Sequence, residues 1–198
     1  MKFRNWELSF IAALLAALMF GSSVSREQAE LSGKLIRLHV VANSDSERDQ
    51  ALKLRVRDAV LSSLSGHLSG VRDAGEARGV IYGQLAAAED AALREIRASG
   101  LSCGVKASLR EEDFPTREYD TFSLPAGRYT ALRVEIGEGL GRNWWCVVFP
   151  PLCAPDAVET VAAILDEGEI SLITEREGAV ARFKCMELIS KIKTLFKK

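Results

Sequence analysis

Few side chains in this sequence could carry out acid–base chemistry near neutral pH. There are two histidines, His39 and His67. His39 alternates with apolar residues, as on one face of a β-strand, and His67 follows a glycine in a predicted turn. A Gly-x-Ser-x-Gly nucleophile elbow does not occur in the sequence. No motif therefore identifies a nucleophilic serine that could partner either histidine. We therefore predict no catalytic residues and expect that the protein is not an enzyme.

A glycine-rich stretch, Gly137-Glu-Gly-Leu-Gly141, superficially resembles a phosphate-binding loop. A dinucleotide-binding loop would need glycine at position 142, where the sequence has Arg142. A P-loop that binds nucleoside triphosphates would need a Lys-Ser or Lys-Thr pair after the glycines, and none follows. The stretch is more typical of a hairpin connection, and we predict no cofactor.

Oxygen-bearing side chains cluster from Asn43 to Asp49 and include Ser44 and Asp45. Such a cluster could bind a divalent cation. It also fits the start of a helix, in which Ser44 with Glu47, or Ser46 with Asp49, forms a capping box. Capping already employs these residues, so we predict a helix start and no metal site.

Cys146 and Cys153 flank a Pro-Pro bend and could form a disulfide in an exported domain. The alternative is that all four cysteines are free, buried thiols. A Cys-x-x-Cys pair is absent from the sequence, which argues against a zinc ribbon or a thioredoxin-like site.

Trp144 and Trp145 are adjacent in a predicted strand, so their side chains must point to opposite faces. One ring can enter the core, and the other faces solvent, a partner or a covering helix. An exposed tryptophan beside Arg142 and Asn143 is typical of an interaction hot spot.

The periodicity of apolar residues predicts the elements that position these side chains. A half-buried strand over 34–42 is followed by a helix ending at Gly66, then by a second helix from Asp73 to Gly100. Further segments are predicted as strands at 105–110, 129–136 and 144–149, the last apolar on both faces and therefore central, and as helices at 156–165 and 182–198.

The first residues resemble a targeting segment. Lys2 and Arg4 precede an apolar run from Leu8 to Phe20, and small residues follow to position 25. The pattern predicts a cleaved secretory signal peptide; an uncleaved membrane anchor or a buried soluble helix are the alternatives. Accordingly we assign residues 1–25 to a signal peptide or anchor, 26–33 to a linker, and 34–198 to one exported domain with a C-terminal amphipathic helix.

The order of elements predicts the fold class. It is a single α+β domain with a mainly antiparallel sheet and several packed helices, preceded by an N-terminal signal or anchor helix. Lys and Arg number 26 against 27 Asp and Glu, a formal net charge of −1. That balance disfavours nucleic acid as a partner.

Two blocks of the sequence resemble the stage II sporulation protein R family. The first is Ile36-Arg-Leu-His-Val-Val-Ala-Asn-Ser-Asp-Ser46 and its continuation to Val60. The second comprises Phe114-Pro-Thr, Leu124-Pro-Ala-Gly-Arg-Tyr129, Ile136-Gly-Glu-Gly and Asn143-Trp-Trp-Cys-Val-Val-Phe-Pro-Pro-Leu-Cys153. The last of these motifs is the most specific.

The resemblance implies a function. Members of this family are exported from the forespore into the space between the two septal membranes. There they activate a membrane-embedded, aspartic-protease-like partner of the mother cell, which then processes the sigma-E precursor. The family has no catalytic residues to carry over.

By physical inference we expect the partner-binding surface at Asn43, Ser44 and Asp45 with Arg142, Asn143, Trp144 and Trp145. Two other classes remain open: an exported hydrolase that depends on His39, and a structural protein of the septum or spore envelope.

Overall fold

The computed structural model describes residue 26 and residues 28–119, 122–152 and 164–174. The predicted signal segment, the predicted helices 156–165 and 182–198 (apart from residues 164 and 165) and Cys153 lie outside the described residues. The described residues form an α+β arrangement of four main strands and several helices.

The elements in chain order are β1 (Ile36–Val41), α1 (Glu47–Leu68), α2 (Ala74–Gly83), α3 (Leu85–Ala98), β2 (Val105–Phe114), β3 (Arg117–Glu118), β4 (Ser123–Leu124), β5 (Gly127–Ile136), β6 (Asn143–Phe149) and α4 (Glu167–Thr174). Residues 28–34 are also helical.

The main sheet is mixed, with the strand order β2-β5-β1-β6. β1 and β5 are parallel neighbours in the centre, whereas β2 pairs with β5 and β6 pairs with β1 in antiparallel fashion. The prediction of a mainly antiparallel sheet was therefore incomplete. Between β1 and β5 the chain forms three helices, β2 and the β3–β4 hairpin, which together make the long connection that a parallel pair requires.

Three helices cover one face of the sheet, which we call the helix face. Leu52, Val56, Val60 and Leu64 recur every four residues along α1 and are all buried against this face. The buried stripe of α3 is mostly alanine, which lets that helix approach α1 closely. Val105, Ala107 and Leu109 of β2 face the same way.

The opposite face of the sheet is also covered, along part of its length. A second apolar cluster lies there. It includes Leu31 and Leu35 just before β1, Phe122 and Leu124 around the β3–β4 hairpin, Leu165 before α4 and Ile173 within it. An ion pair of 2.6 Å between Lys34 and Glu169 joins two of these covering segments.

Coverage on both faces corrects two predictions. β1 was expected to be half-buried, but all six of its residues are buried, including Arg37 and His39. β6 was expected to be central because both its faces are apolar, yet it stands at the edge of the described sheet. Apolar residues on both faces of a strand indicate that both faces of the sheet are covered. They do not indicate whether the strand is central or at the edge of the sheet.

The helix boundaries also differ from expectation. α1 continues through Gly66 to Leu68, and a glycine with positive φ, Gly70, follows it. The second predicted helix is divided at Gln84 into α2 and α3. Asp73 caps α2 as predicted, because its carboxylate accepts a hydrogen bond of 2.9 Å from the Glu76 amide.

Candidate functional site

The loop between β1 and α1 is organised around the carboxylate of Asp49. Ser44 Oγ donates to Asp49 Oδ2 at 2.6 Å, and Asn43 Nδ2 donates to the same oxygen at 2.9 Å. Ser46 caps the helix by accepting from the Asp49 amide at 3.2 Å. The hydrogen bonds from Ser44 and Asn43 stabilise the ionised form and lower the pKa of Asp49. Of the two predicted caps, Ser46 with Asp49 is confirmed for the helix start, whereas Ser44 bonds to the Asp49 carboxylate instead.

A second loop, Gly137–Arg142, packs directly on the first. Four of its amides donate to residues 42–45: Glu138 to Asn43 Oδ1 at 3.0 Å, Leu140 to the Asn43 carbonyl at 3.2 Å, Gly141 to the Ala42 carbonyl at 2.9 Å, and Arg142 to Asp45 Oδ1 at 2.7 Å. We call the two loops, residues 43–46 and 137–142, the motif corner. Both resemblance blocks of the sequence contribute to it.

Glycine is required at two positions of the motif corner. Gly137 has a φ of +57°, and a Cβ there would overlap the Asn43 side chain. A Cβ on Gly141 would overlap the Ser44 carbonyl group. The glycine-rich stretch is therefore a close-approach loop between β5 and β6. The prediction of a hairpin connection was wrong, because β1 lies between β5 and β6 in the sheet.

A buried lysine supports the motif corner from beneath. Lys53 is 4% exposed; its Nζ donates to the Arg142 carbonyl at 3.0 Å and to Gln50 Oε1 at 2.7 Å. Gln50 in turn donates to the Ser44 carbonyl at 2.8 Å. Burial lowers the pKa of Lys53, and the nearby charge of Arg142 acts in the same direction.

The outer surface of the motif corner is formed by a few side chains. Arg142 and Asp45 approach to 3.6 Å, and their side chains are 72% and 62% exposed. Leu140 is 81% exposed beside them. Five of the predicted surface residues, Asn43, Ser44, Asp45, Arg142 and Asn143, thus come together in space. Asn43 and Ser44 direct hydrogen bonds inward to Asp49, however, so the two are structural as well.

The two tryptophans lie on opposite faces, as strand alternation predicted. Trp144 packs on the helix face beneath the Arg57 guanidinium, which lies 4.5 Å from the ring centroid. Trp145 stacks on His39 on the other face, at 3.9 Å and 17° between planes. Both residues are half-buried, so neither ring is a freely exposed contact. The Nε1 atom of Trp144 is buried and has no hydrogen-bond partner in the part of the chain that is described.

His39 lies in a polar network that crosses four strands. Its Nδ1 is 2.7 Å from Glu112 Oε2 and its Nε2 is 2.8 Å from Asn143 Oδ1. Arg133 is 3.0 Å from the same Nδ1 and also binds Glu135 at 2.6 Å. A separation of 2.7 Å between the ring nitrogen and the carboxylate oxygen is within hydrogen-bond distance.

The charges of this network are balanced internally. Burial alone would raise the pKa of Glu112, but hydrogen bonds from His39 and Arg110 outweigh that effect and lower it. The Arg133 guanidinium likewise lowers the pKa of Glu135. A histidine oriented by a carboxylate is a component of hydrolase sites. Here the second ring nitrogen of His39, Nε2, faces the side-chain amide of Asn143, and Trp145 covers the ring. This is the arrangement of a structural histidine.

Other predicted features can be placed as well. His67 is exposed at the end of α1. Cys146 is buried in β6, and its predicted disulfide partner, Cys153, lies outside the described residues. Within residues 28–119, 122–152 and 164–174, no three His, Cys, Asp or Glu side chains are grouped to hold a metal ion. The helices of this part of the chain are too short or too polar to cross a membrane.

Four residues of the site were missed from the sequence. Glu112 and Arg133 could not be paired with His39, because the strand order that joins them is not visible in a single sequence. Lys53 was assigned no role, although a lysine four residues after Asp49 on the same helix face could have indicated one. Leu140 could have been recognised as an apolar residue between two glycines of a turn.

Comparison with known proteins gives the chain a family. The family model for stage II sporulation protein R matches residues 32–159, more than half of the chain. The stage II sporulation protein R of Bacillus subtilis (strain 168) is 39% identical over 121 residues, which are 61% of this chain and 54% of that protein. The match thus spans about half the length of this curated relative. No solved structure matches the chain significantly. Both blocks that form the motif corner lie inside the matched range, and the chain belongs to the stage II sporulation protein R family.

Proposed function

We propose that this protein is an exported signal of endospore formation. It is made in the forespore and acts in the space between the septal membranes. There it activates a membrane-embedded, aspartic-protease-like partner of the mother cell, which processes the sigma-E precursor. In this account the protein is a ligand of the protease and does not catalyse the cleavage.

Family membership supports the sporulation role. The basic and then apolar N-terminal sequence supports export, because it has the order of charged, apolar and small residues that a signal peptide has. Septal localisation and the identity of the protease come from the family resemblance.

The observation that carries the proposal is the construction of the motif corner. The two sequence blocks of the family meet there and are joined by four amide hydrogen bonds. Buried groups such as Asp49 and Lys53 fix the loops from inside, while Asp45, Leu140 and Arg142 are displayed outside. A rigid scaffold that displays a few side chains is what a protein ligand needs, because little conformational freedom is lost on binding.

The hydrolase alternative has one observation in its favour, the contact between His39 and Glu112. His39→Gln removes the ring and keeps a polar side chain, so it separates the two functions. The ligand account expects processing to fall only as far as the folded fraction falls. A folded His39→Gln protein that has lost all activity would favour the hydrolase.

The proposal is tested by reconstitution. The chain, the protease and the sigma-E precursor are co-expressed in a bacterium that does not form spores, and precursor cleavage is followed on immunoblots. Cleavage that requires this chain supports the proposal. Cleavage that proceeds equally without it would favour a structural role in the septum or spore envelope.

A further inference from the structure

Leu140 is an exposed apolar residue held on a fixed loop. At 81% exposure it is the most exposed large apolar side chain of the described residues, ahead of Tyr82 at 71% and Leu54 at 36%. Its own amide bonds to the Asn43 carbonyl at 3.2 Å, and the next amide, that of Gly141, bonds to the Ala42 carbonyl at 2.9 Å. The backbone therefore fixes the position of the side chain and directs it away from the protein.

The loop is held in a conformation that displays this side chain. Gly137 and Gly139 take positive φ values of +57° and +63° on one side of Leu140, and Gly141 lies against the Ser44 carbonyl on the other. An apolar side chain on a preordered backbone loses little entropy when it is buried by a partner. Such residues act as anchors in protein interfaces.

The charges around Leu140 indicate what kind of partner fits. Asp45 and Arg142 compensate each other at 3.6 Å. Glu138 is exposed and forms no ion pair with any residue of the described ranges, so the rim of the anchor is negative. Anionic bilayer surfaces repel such a rim, whereas a protein pocket with a basic edge complements it.

We propose that Leu140 is the anchor of the partner-binding surface, and that it inserts into an apolar pocket of the protease whose edge carries a Lys or Arg opposite Glu138. This inference rests on the proposed function and names the contact surface through which it acts. The surface is the outer side of the motif corner, composed of Asp45, Glu138, Leu140 and Arg142.

The test uses the full chain with four substitutions. Leu140→Ala removes the anchor, Leu140→Asp adds a charge to it, and Glu138→Lys reverses the rim charge. Tyr82→Ala is the matched control, because it removes the next most exposed large side chain from α2, away from the motif corner. Binding to the detergent-solubilised protease and cleavage of the sigma-E precursor are measured, and thermal unfolding shows that each variant is folded.

The Leu140 substitutions should weaken binding at least about tenfold, the effect of losing one buried leucine side chain, and should reduce cleavage in parallel. Glu138→Lys should weaken both, and Tyr82→Ala should leave both unchanged. If the wild-type chain activates the protease and Leu140→Asp does so equally well, the surface is wrong while the proposed function stands. If the wild-type chain itself neither binds nor activates the protease, both are wrong.

Two other binding partners of Leu140, a second copy of this chain and a lipid bilayer, would give different results. If the wild-type chain is a dimer by size-exclusion chromatography and Leu140→Asp is a monomer, Leu140 serves self-association. If the wild-type chain binds phosphatidylglycerol vesicles and Leu140→Asp does not, Leu140 inserts into lipid. Either result would overturn the inference of a protein pocket.

Discussion

Asp49 links the two sequence blocks of the family through one side chain. Its carboxylate holds Ser44 and the amide nitrogen of Asn43, and the amide oxygen of Asn43 then binds the Glu138 amide of the second loop. The residues that resemble a cation site in the sequence are thus partners of one another. Asp49 Oδ2, Asp45 Oδ1 and Asn43 Oδ1 all accept hydrogen bonds from within the protein.

Asp49→Asn should destabilise the protein by about 2 kcal/mol, because a buried acceptor of two short hydrogen bonds loses its charge. The pKa of Asp49 is lowered from the ordinary value of 3.8. Its contribution to stability is therefore fully present above that pH and is lost as the pH falls through the lower, folded-state pKa. The free energy of unfolding, measured by urea titration from pH 7 to pH 2, should fall less steeply below pH 4 for Asp49→Asn than for the wild type. Equal slopes for the two proteins would contradict this assignment.

The tryptophans give a second prediction at the residue scale. Trp144→Phe should change stability by less than about 1 kcal/mol, because the buried indole N–H that it removes has no partner in the described part of the chain. Trp144→Ala and Trp145→Ala should each cost roughly 2–4 kcal/mol, since each half-buried ring packs on a cluster of its own. Denaturant unfolding of the three variants measures these values. A fully stable Trp145→Ala protein would show that the stacking on His39 contributes little, and would return Trp145 to consideration as a partner contact.

Single elements could be predicted from the sequence where a local pattern determines them. The four-residue spacing from Leu52 to Leu64 identifies α1, and the alternation from Leu132 to Ile136 identifies the buried face of β5. Asp73 and Ser46 identify two helix starts by capping. The division at Gln84 was missed because an apolar stripe continues across it, although Gly83 at the end of α2 could have indicated a break.

Two glycines, Gly141 in the motif corner and Gly79 in α2, give a matched test of the contact between the two loops. Gly141→Ala should cost roughly 2 kcal/mol, because the added Cβ meets the backbone carbonyl of Ser44, which cannot rotate away. Gly79 is on the exposed side of α2, and an added Cβ there meets no other group. Gly79→Ala should therefore stabilise the protein by up to about 1 kcal/mol. Thermal unfolding of both variants measures the difference. A Gly141→Ala protein as stable as the wild type would show that the two loops are not in close contact.

At the scale of the whole molecule, the fold class was predictable and the sheet order was not. Which strands are neighbours depends on contacts between residues far apart in sequence, such as Leu38 with Leu132 and Cys146. The network of His39 could not be predicted for the same reason, because its partners come from three other strands. The motif corner was partly predicted, because its residues fall in two recognisable sequence blocks.

Export is the property of the whole chain on which the proposed function depends. Leu14→Asp combined with Leu15→Asp would place two charges in the apolar N-terminal run, at a cost of about 3 kcal/mol each for membrane insertion. We expect this variant to remain in the cytoplasm, to be present at wild-type levels, and to leave the sigma-E precursor uncleaved. Cell fractionation and immunoblotting of the chain and of the precursor measure these outcomes.

The reconstitution in a host that does not form spores tests the central claim most directly. The measured quantity is the fraction of sigma-E precursor cleaved in cells that contain the protease with the wild-type chain, with the Leu14→Asp and Leu15→Asp variant, or without the chain. The account predicts that the precursor is cleaved only in the strain that contains the wild-type chain. Cleavage of the same extent in all three strains would contradict it, and so would the absence of cleavage in the strain that contains the wild-type chain, the protease and the precursor.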